Sequence, residues 1–174
     1  MNAPVSWLLD ANVVSEMMRP HPEPRVAAFL DKIADQGIGL ASITVWEILN
    51  GIGLLDAGRR RDDLARRFQD LLDDLFEERI FAWTLDDARE CARIMETKRR
   101  RGEALEDHLP DAFLSATAAR LGLTIVTRNT GEFRNTGVEV VDPWADGQLP
   151  TKESKNRQVG ISDQQKEGQG TECS

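Results

Sequence analysis

Two hydrophobic rhythms alternate along this chain. Short unbroken apolar runs, the pattern of buried strands, lie at Ser6–Leu9, Ile38–Ala41, Arg79–Ala82, Thr124–Thr127 and Val138–Val141. Between them, apolar residues recur at helical spacing. Asn12–Arg19 reads as a helix that stops near Pro20, and Arg25–Ala34 as an amphipathic helix after the loop HPEP. A third helix runs from Ser42 and Thr44, both helix-starting residues, to about Ala57. Arg60–Glu77 carries apolar residues at 64, 68, 71, 72 and 75. Asp86–Arg101 opens with acids and closes with bases, as the helix dipole favours. After the loop 102–109, Pro110 marks a first helical position, and that helix ends at Gly122. Strands alternating with helices predict a three-layer α/β/α domain with a mostly parallel central sheet.

The rhythm ends near Gly147. Residues 148–174 are polar and without period. Such a segment cannot bury enough apolar surface to offset its own ordering entropy. The sequence therefore predicts one domain over 1–147 and a disordered tail over 148–174.

Composition narrows the chemistry. Hydrophobic residues make up 40% of the 174, enough for a core, and the formal charge is −8. That balance disfavours a nucleic-acid coat protein, which needs a basic face. It leaves room for an enzyme that meets phosphates through bound cations. The two cysteines, Cys91 and Cys173, form no CxxC and no pairing pattern, which suits a reducing compartment. No signal peptide is evident, and no apolar run approaches the roughly 20 residues that span a bilayer. The expectation is a cytoplasmic protein.

Three acids stand where strands meet helices. Asp10 closes the first strand, Glu47 lies one turn into the helix after the second, and Asp111 opens the helix before the fourth. Ligands collect at the carboxyl ends of parallel strands, near helix N-termini. Each acid also has a purely structural explanation. Asp10 can simply precede a helix capped by Asn12. Thr44-Val-Trp-Glu47 matches a capping box, and Asp111 in a first turn complements the helix dipole. Against this, all three are flanked by apolar residues, and carboxylates beside buried surface need a compensating partner. His21 and His108 stand in no ligand spacing, so phosphate chemistry here would rely on oxygen ligands, which suit Mg²⁺ or Mn²⁺.

LLDANVVSE, SITVWEILNGI and LPDAFLSATAARLGLTIVTRNTGEFRNTGVEVVDPW, in this order, resemble the motifs of PIN-domain ribonucleases. The resemblance covers residues 5–144 and is greatest to the VapC-type toxins of VapBC toxin–antitoxin pairs. It implies a parallel sheet, an acidic pocket for Mg²⁺ or Mn²⁺, and endoribonuclease cleavage of single-stranded or loop RNA. It further implies a homodimer and a small antitoxin partner that inserts a segment into the groove. By position, Asp10 and Asp111 correspond to metal ligands and Glu47 to the glutamate after strand two, itself a candidate metal ligand. The fourth acidic position falls at Asn129 or Glu132. The first is an amide here and the second a Glu where Asp is commoner, which puts a second metal in question.

Other features carry less. RRRDDLARR (59–67) and KRRRGE (98–103) could guide an RNA backbone or could be solvated helix faces. Trp46 is expected in the core, with base stacking as its alternative, and Trp7 and Trp144 are expected to anchor the first and last strands. Thr127 and Asn129 could position groups near a metal. Ser115, one turn past Asp111, could hydrogen-bond a site carboxylate, and His108 could supply a proton. The apolar faces of 25–34 and 43–57 suit a dimer, a partner or the core. Two rival readings remain: a phosphoacceptor signalling domain, which would need a paired acid and a lysine absent here, and a catalytically weak PIN-like module that binds RNA or an antitoxin.

Overall fold

The computed structural model describes residues 5–103 and 109–145. The expected tail, Cys173 and His108 lie outside the described residues. The chain forms β1 (Trp7–Leu9), α1 (Ala11–Met17), α2 (Pro24–Ile33), β2 (Ile38–Ala41), α3 (Ser42–Gly53) and α4 (Arg59–Leu71). There follow β3 (Ile80–Phe81), α5 (Leu85–Arg100), α6 (Leu109–Leu121), β4 (Thr124–Val126) and β5 (Val140–Val141). The five strands lie in the order β3-β2-β1-β4-β5, and every pair is parallel.

Burial explains why these short strands hold. Residues alternate across a strand, and here both faces are covered. Trp7, Leu9, Leu40 and Val126 pack with Val13, Val26, Phe29 and Phe68 under α1, α2 and α4. Leu8, Ala41 and Ile125 pack on the opposite face against Leu114 and Ala118 of α6. This is the three-layer arrangement the sequence predicts. Leu8 and Leu9 are both fully buried, so truncating either to alanine would cost about 2–5 kcal/mol.

The element ends depart from the sequence reading in informative ways. Asp10, not Asn12, is the N-cap of α1: its side chain accepts the Ala11 N–H, and α1 starts one residue earlier than expected. The helix over 60–77 ends as α at Leu71 and continues as a π-turn through Phe76. β3 and β5 are each only two residues long. Thr84 caps α5 in a box with Asp87, which the sequence reading missed. Asp87 is fully buried, and its partner is Arg120 of α6, whose Nε donates to Oδ1 at 2.8 Å. That pair pins α5 to α6. β2 and β3 meet at Gly39, where a Cβ would stand 2.7 Å from the Phe81 ring and 3.0 Å from the Arg79 carbonyl oxygen. Gly122, with φ of 66°, closes α6 where an L side chain would be strained.

Trp7 is buried and meets Phe29 edge-on at 5.8 Å, as an anchor of β1 should. Trp144 packs against the core beside β5, with the Arg128 guanidinium 5.4 Å above its ring. Trp46 contradicts its expectation: it is 53% exposed. The core-facing residues of α3 are Thr44, Ile48 and Ile52, and Trp46 falls on the other side of the helix. The apolar face of 25–34 is core, through Val26, Phe29 and Ile33. No helix among the described residues is long and apolar enough to cross a membrane.

Candidate active site

The strand order locates the site before any side chain is considered. From β1 the chain proceeds outward through β2 and β3, then returns to build β4 and β5 on β1's other side. The direction therefore reverses between β1 and β4, and the crevice at the carboxyl end of such a switch point is where open α/β sheets bind ligands. Leu9 pairs with Val126 in the last register of that seam. The next residue of each strand, Asp10 and Thr127, thus emerges side by side at the crevice.

Asp10 is held from three directions. Its Oδ1 accepts the Ala11 N–H at 2.7 Å, and its Oδ2 accepts Asn12 Nδ2 at 2.7 Å and the Thr127 hydroxyl at 2.5 Å. Asn12 Nδ2 also donates to Thr127 Oγ1 at 2.9 Å, and Asn12 Oδ1 accepts the Arg128 N–H at 3.3 Å. Thr127 Oγ1 further accepts the Asn129 N–H at 3.0 Å, so this buried hydroxyl uses its one donor and both acceptor sites. Asp10 is 5% exposed. Burial raises its pKa above the ordinary carboxylate range, although the bonds from Thr127, Ala11 and Asn12 oppose the rise.

Glu47 rides on α3. The capping box read from Thr44-Val-Trp-Glu47 does not form. α3 begins at Ser42 with Ala41 as N-cap and no side-chain cap bond. Thr44 instead turns inward, its hydroxyl donating to the Leu9 carbonyl at 3.4 Å. That bond ties α3 to the end of β1. The Glu47 carboxyl is pushed up to about 7, first by burial and then by the charges of Asp10 and Asp111. Asp111 sits in the first turn of α6. α6 runs back across the sheet to feed β4, so its N-terminus lies at the carboxyl edge. The structure thus brings Asp10, Glu47 and Asp111 into one electrostatic neighbourhood.

The remaining candidates divide. Asn129 is exposed and joins the site through its backbone bond to Thr127. Glu132 lies in the 3-10 turn Thr130–Phe133, whose place is fixed by Lys98: Nζ donates to the Glu132 carbonyl at 2.9 Å and pairs with Glu103 at 3.1 Å. Ser115 does not hold a carboxylate. Its hydroxyl donates to the Asp111 backbone carbonyl at 2.7 Å, the backward bond within a helix turn that Ser commonly makes. In the second basic cluster Lys98 is buried, Arg99 and Arg100 pair with Glu96, and Arg101 bonds Asn135. Arg99, Arg100 and Arg101 stay exposed at the end of α5 with their charges paired within the chain, which is the solvated helix end of the structural reading. In the first cluster Arg66 pairs with Asp63, and Arg67 donates to the Met18 carbonyl.

Sequence reasoning missed Asn12 as a member of the site. Its signal was the strand order: once β4 lies beside β1, the residue two past Asp10 must face the residue after Val126. The donor set suits a hard cation, since carboxylate, hydroxyl and amide oxygens gather here, with no thiol or imidazole among the described residues of the site. Among the described residues no three His, Cys, Asp or Glu side chains form a ready-made metal cage. Mg²⁺ does not require one, because it keeps several waters and takes one or two carboxylates. Two negative charges acting on a third buried carboxyl are also the load that a divalent cation relieves.

Comparison with known proteins agrees with this fold. The PIN domain family model matches residues 7–139. Toxin FitB of Neisseria gonorrhoeae is 36% identical over 139 residues, covering 80% of this chain and 99% of FitB. VapC ribonuclease Y4jK of Sinorhizobium fredii is 29% identical over 137 residues, covering 79% of this chain and 96% of that protein. The crystal structure of FitAcB from Neisseria gonorrhoeae superposes with a TM-score of 0.72 at 35% identity, over 80% of this chain and 99% of its own. A chain with this sheet order, with its acids at the switch point and with a family match spanning most of its folded length, belongs to the PIN domain family.

Proposed function

We propose that this protein is a Mg²⁺- or Mn²⁺-dependent endoribonuclease, the toxin of a toxin–antitoxin pair, that hydrolyses phosphodiester bonds in single-stranded or loop regions of RNA. The observation that carries the reading is the meeting of Asp10, Glu47 and Asp111 at the β1/β4 switch point, with Glu47 raised to about 7 first by burial and then by the charges of the other two. The similarity to a VapC ribonuclease and to toxin FitB supports the reaction class and the toxin role. By the same likeness the partners are an antitoxin protein and a second copy of the chain.

Asp10 and Asp111 would hold the cation, with Asn129 and Glu132 as candidates for a second. When bound, the ion supplies Lewis-acid polarisation of the phosphodiester and a more acidic water. The chain's own residues do the rest. Asn12, Thr127 and the Ala11 amide fix the Asp10 carboxylate, and Oδ1, with one of these bonds, keeps a lone pair for a ligand. Glu47, whose carboxyl titrates near neutrality, takes the proton of the attacking water as general base. In-line attack leaves a 5′-phosphate and a 3′-hydroxyl.

The test is incubation of the purified protein with total tRNA in Mg²⁺, beside Asp111→Asn and beside an EDTA-treated sample. Discrete cuts by the wild type alone are expected. Absence of cuts from folded wild type, with Mn²⁺ also tried, moves the protein to the binding-module reading. Equal cutting by Asp111→Asn removes Asp111 from the site.

A further inference from the structure

On the helices that carry Glu47 and Asp111 lies an aromatic cleft that the reaction above does not use. It has a volume of about 320 Å³ and is lined by Ser42, Ile43, Trp46, Trp83 and Phe113. We propose that this cleft is a nucleobase subsite: it receives the unstacked base of a nucleotide adjoining the scissile phosphate, with Trp46 as its stacking surface. The inference rests on the nuclease reading and deepens it.

The elements that carry the acids also build the cleft. On α3, Trp46 is the neighbour of Glu47, and both border Ile43 one turn earlier. On α6, Phe113 stands two residues beyond Asp111. Trp83 comes from the segment after β3, at the same carboxyl edge of the sheet. Trp83 and Phe113 meet edge to face, with centroids 4.9 Å apart and planes at 72°, which fixes one wall. The Trp83 N–H donates to Ser42 Oγ at 3.1 Å, so the segment carrying that wall is fastened to the start of α3. With its oxygen engaged as acceptor, Ser42 keeps its hydroxyl hydrogen as a donor inside the cleft. Trp46 is 53% exposed and Trp83 38%.

Leaving two indoles in water is unfavourable, and neither is needed by the core. The chemistry of the lining identifies what covers them. A base lifted out of a single strand loses its stacking neighbours and offers two π-faces and a hydrogen-bonding edge. Aromatic side chains replace the first, and a hydroxyl donor meets the second. A helix from a protein partner docks by a row of apolar anchors at i, i+3, i+4 and i+7, whereas this notch gathers three aromatic rings around one hydroxyl. The net charge of −8 also disfavours holding RNA by phosphate contacts alone. Stacking therefore supplies affinity, from the same two helices that carry Glu47 and Asp111.

The test uses a fluorescein-labelled random-sequence RNA octamer with phosphorothioate linkages, and the same octamer with one abasic site moved along it. Kd is measured by anisotropy for wild type, Trp46→Ala and Trp46→Phe. Because Trp46 is exposed, the variants should keep the wild-type melting temperature. In wild type, one abasic position should weaken binding about tenfold, equivalent to about 1.4 kcal/mol. Trp46→Ala should lose the same factor on intact RNA and show no further loss at that abasic position, and Trp46→Phe should retain most of the affinity. Equal Kd values for wild type and Trp46→Ala, with tRNA still cleaved, overturn the subsite and leave the nuclease reading standing. Weaker binding of an antitoxin or weaker self-association in Trp46→Ala, with RNA affinity unchanged, also overturns it by assigning the cleft to a protein. No RNA binding and no cleavage by wild type overturn both readings together.

Discussion

Replacing Thr127 by valine keeps the shape of a buried side chain and deletes a hydroxyl that makes three hydrogen bonds. The loss is unevenly distributed. The bond donated to Asp10 is charge-assisted, worth about 1.5–3 kcal/mol, and the bond accepted from Asn12 is neutral, worth about 1 kcal/mol. Asn129 is exposed, so its amide can turn to water at little cost. The sum is a destabilisation of about 2–4 kcal/mol, or a fall in Tm of roughly 6–15 °C. Thr127→Ser, which keeps the hydroxyl and loses one methyl, should cost only about 1 kcal/mol. The assay is urea unfolding followed by tryptophan fluorescence in metal-free buffer, at neutral and at acid pH. Acidity matters because the cost falls mainly on a charged Asp10. Burial already raises that carboxyl, and removing a bond to its ionised form raises it further. As pH falls through its titration the acid becomes neutral, and the gap between Thr127→Val and wild type should narrow. A gap under about 0.5 kcal/mol, or one that is the same at both pH values, would refute the claim that Thr127 anchors an ionised Asp10.

Glu47 makes a second prediction with a definite sign. Its pKa is raised from the ordinary 4.5 to about 7, so between those values the folded state binds its proton more tightly than the unfolded chain. Stability is therefore lost as pH rises through that window. Without metal, Glu47→Gln should be more stable than wild type above pH 7, by about 1–2 kcal/mol once solvent screening of a half-exposed group is allowed for, and equal to it at acid pH. Thermal melts across the window check this; a wild type more stable than the variant at neutral pH would contradict it. At Gly39 an added methyl would meet the Phe81 ring and the Arg79 carbonyl. Gly39→Ala should lower the urea midpoint by the equivalent of about 1–3 kcal/mol with an unchanged m-value, and an unchanged midpoint would show that β2 and β3 can separate freely.

The legible part of this protein was the part written in local pattern. SWLL, IGLA and TIV read as strands because both sheet faces are covered, so their residues need not alternate with polar ones. Asp10, Glu47 and Asp111 were visible because strand ends and helix starts are themselves local signals. What escaped depended on contacts between distant segments. Thr44 looked like a cap because the helix start was placed there; β2 ends at Ala41, so the helix begins earlier and Thr44 faces Leu9. Trp46 was assigned to the core by its apolar character, yet α3 already fills its inner face with Ile48 and Ile52. Asn12, Lys98 and the Asp87–Arg120 pair bond residues far away in sequence. No window of the chain displays such partners.

The seam between β1 and β4 also has a consequence in time. Asp10 leaves a ribosome well before the side chains at 111 and 127 that complete its surroundings. β1 has no neighbour on that side until β4 exists. On the proposed reading, a nascent chain of this protein consequently lacks its nuclease centre until β4 has been made. That proposed centre comes into being only as β4 and β5 dock, a moment when a partner already present could meet it.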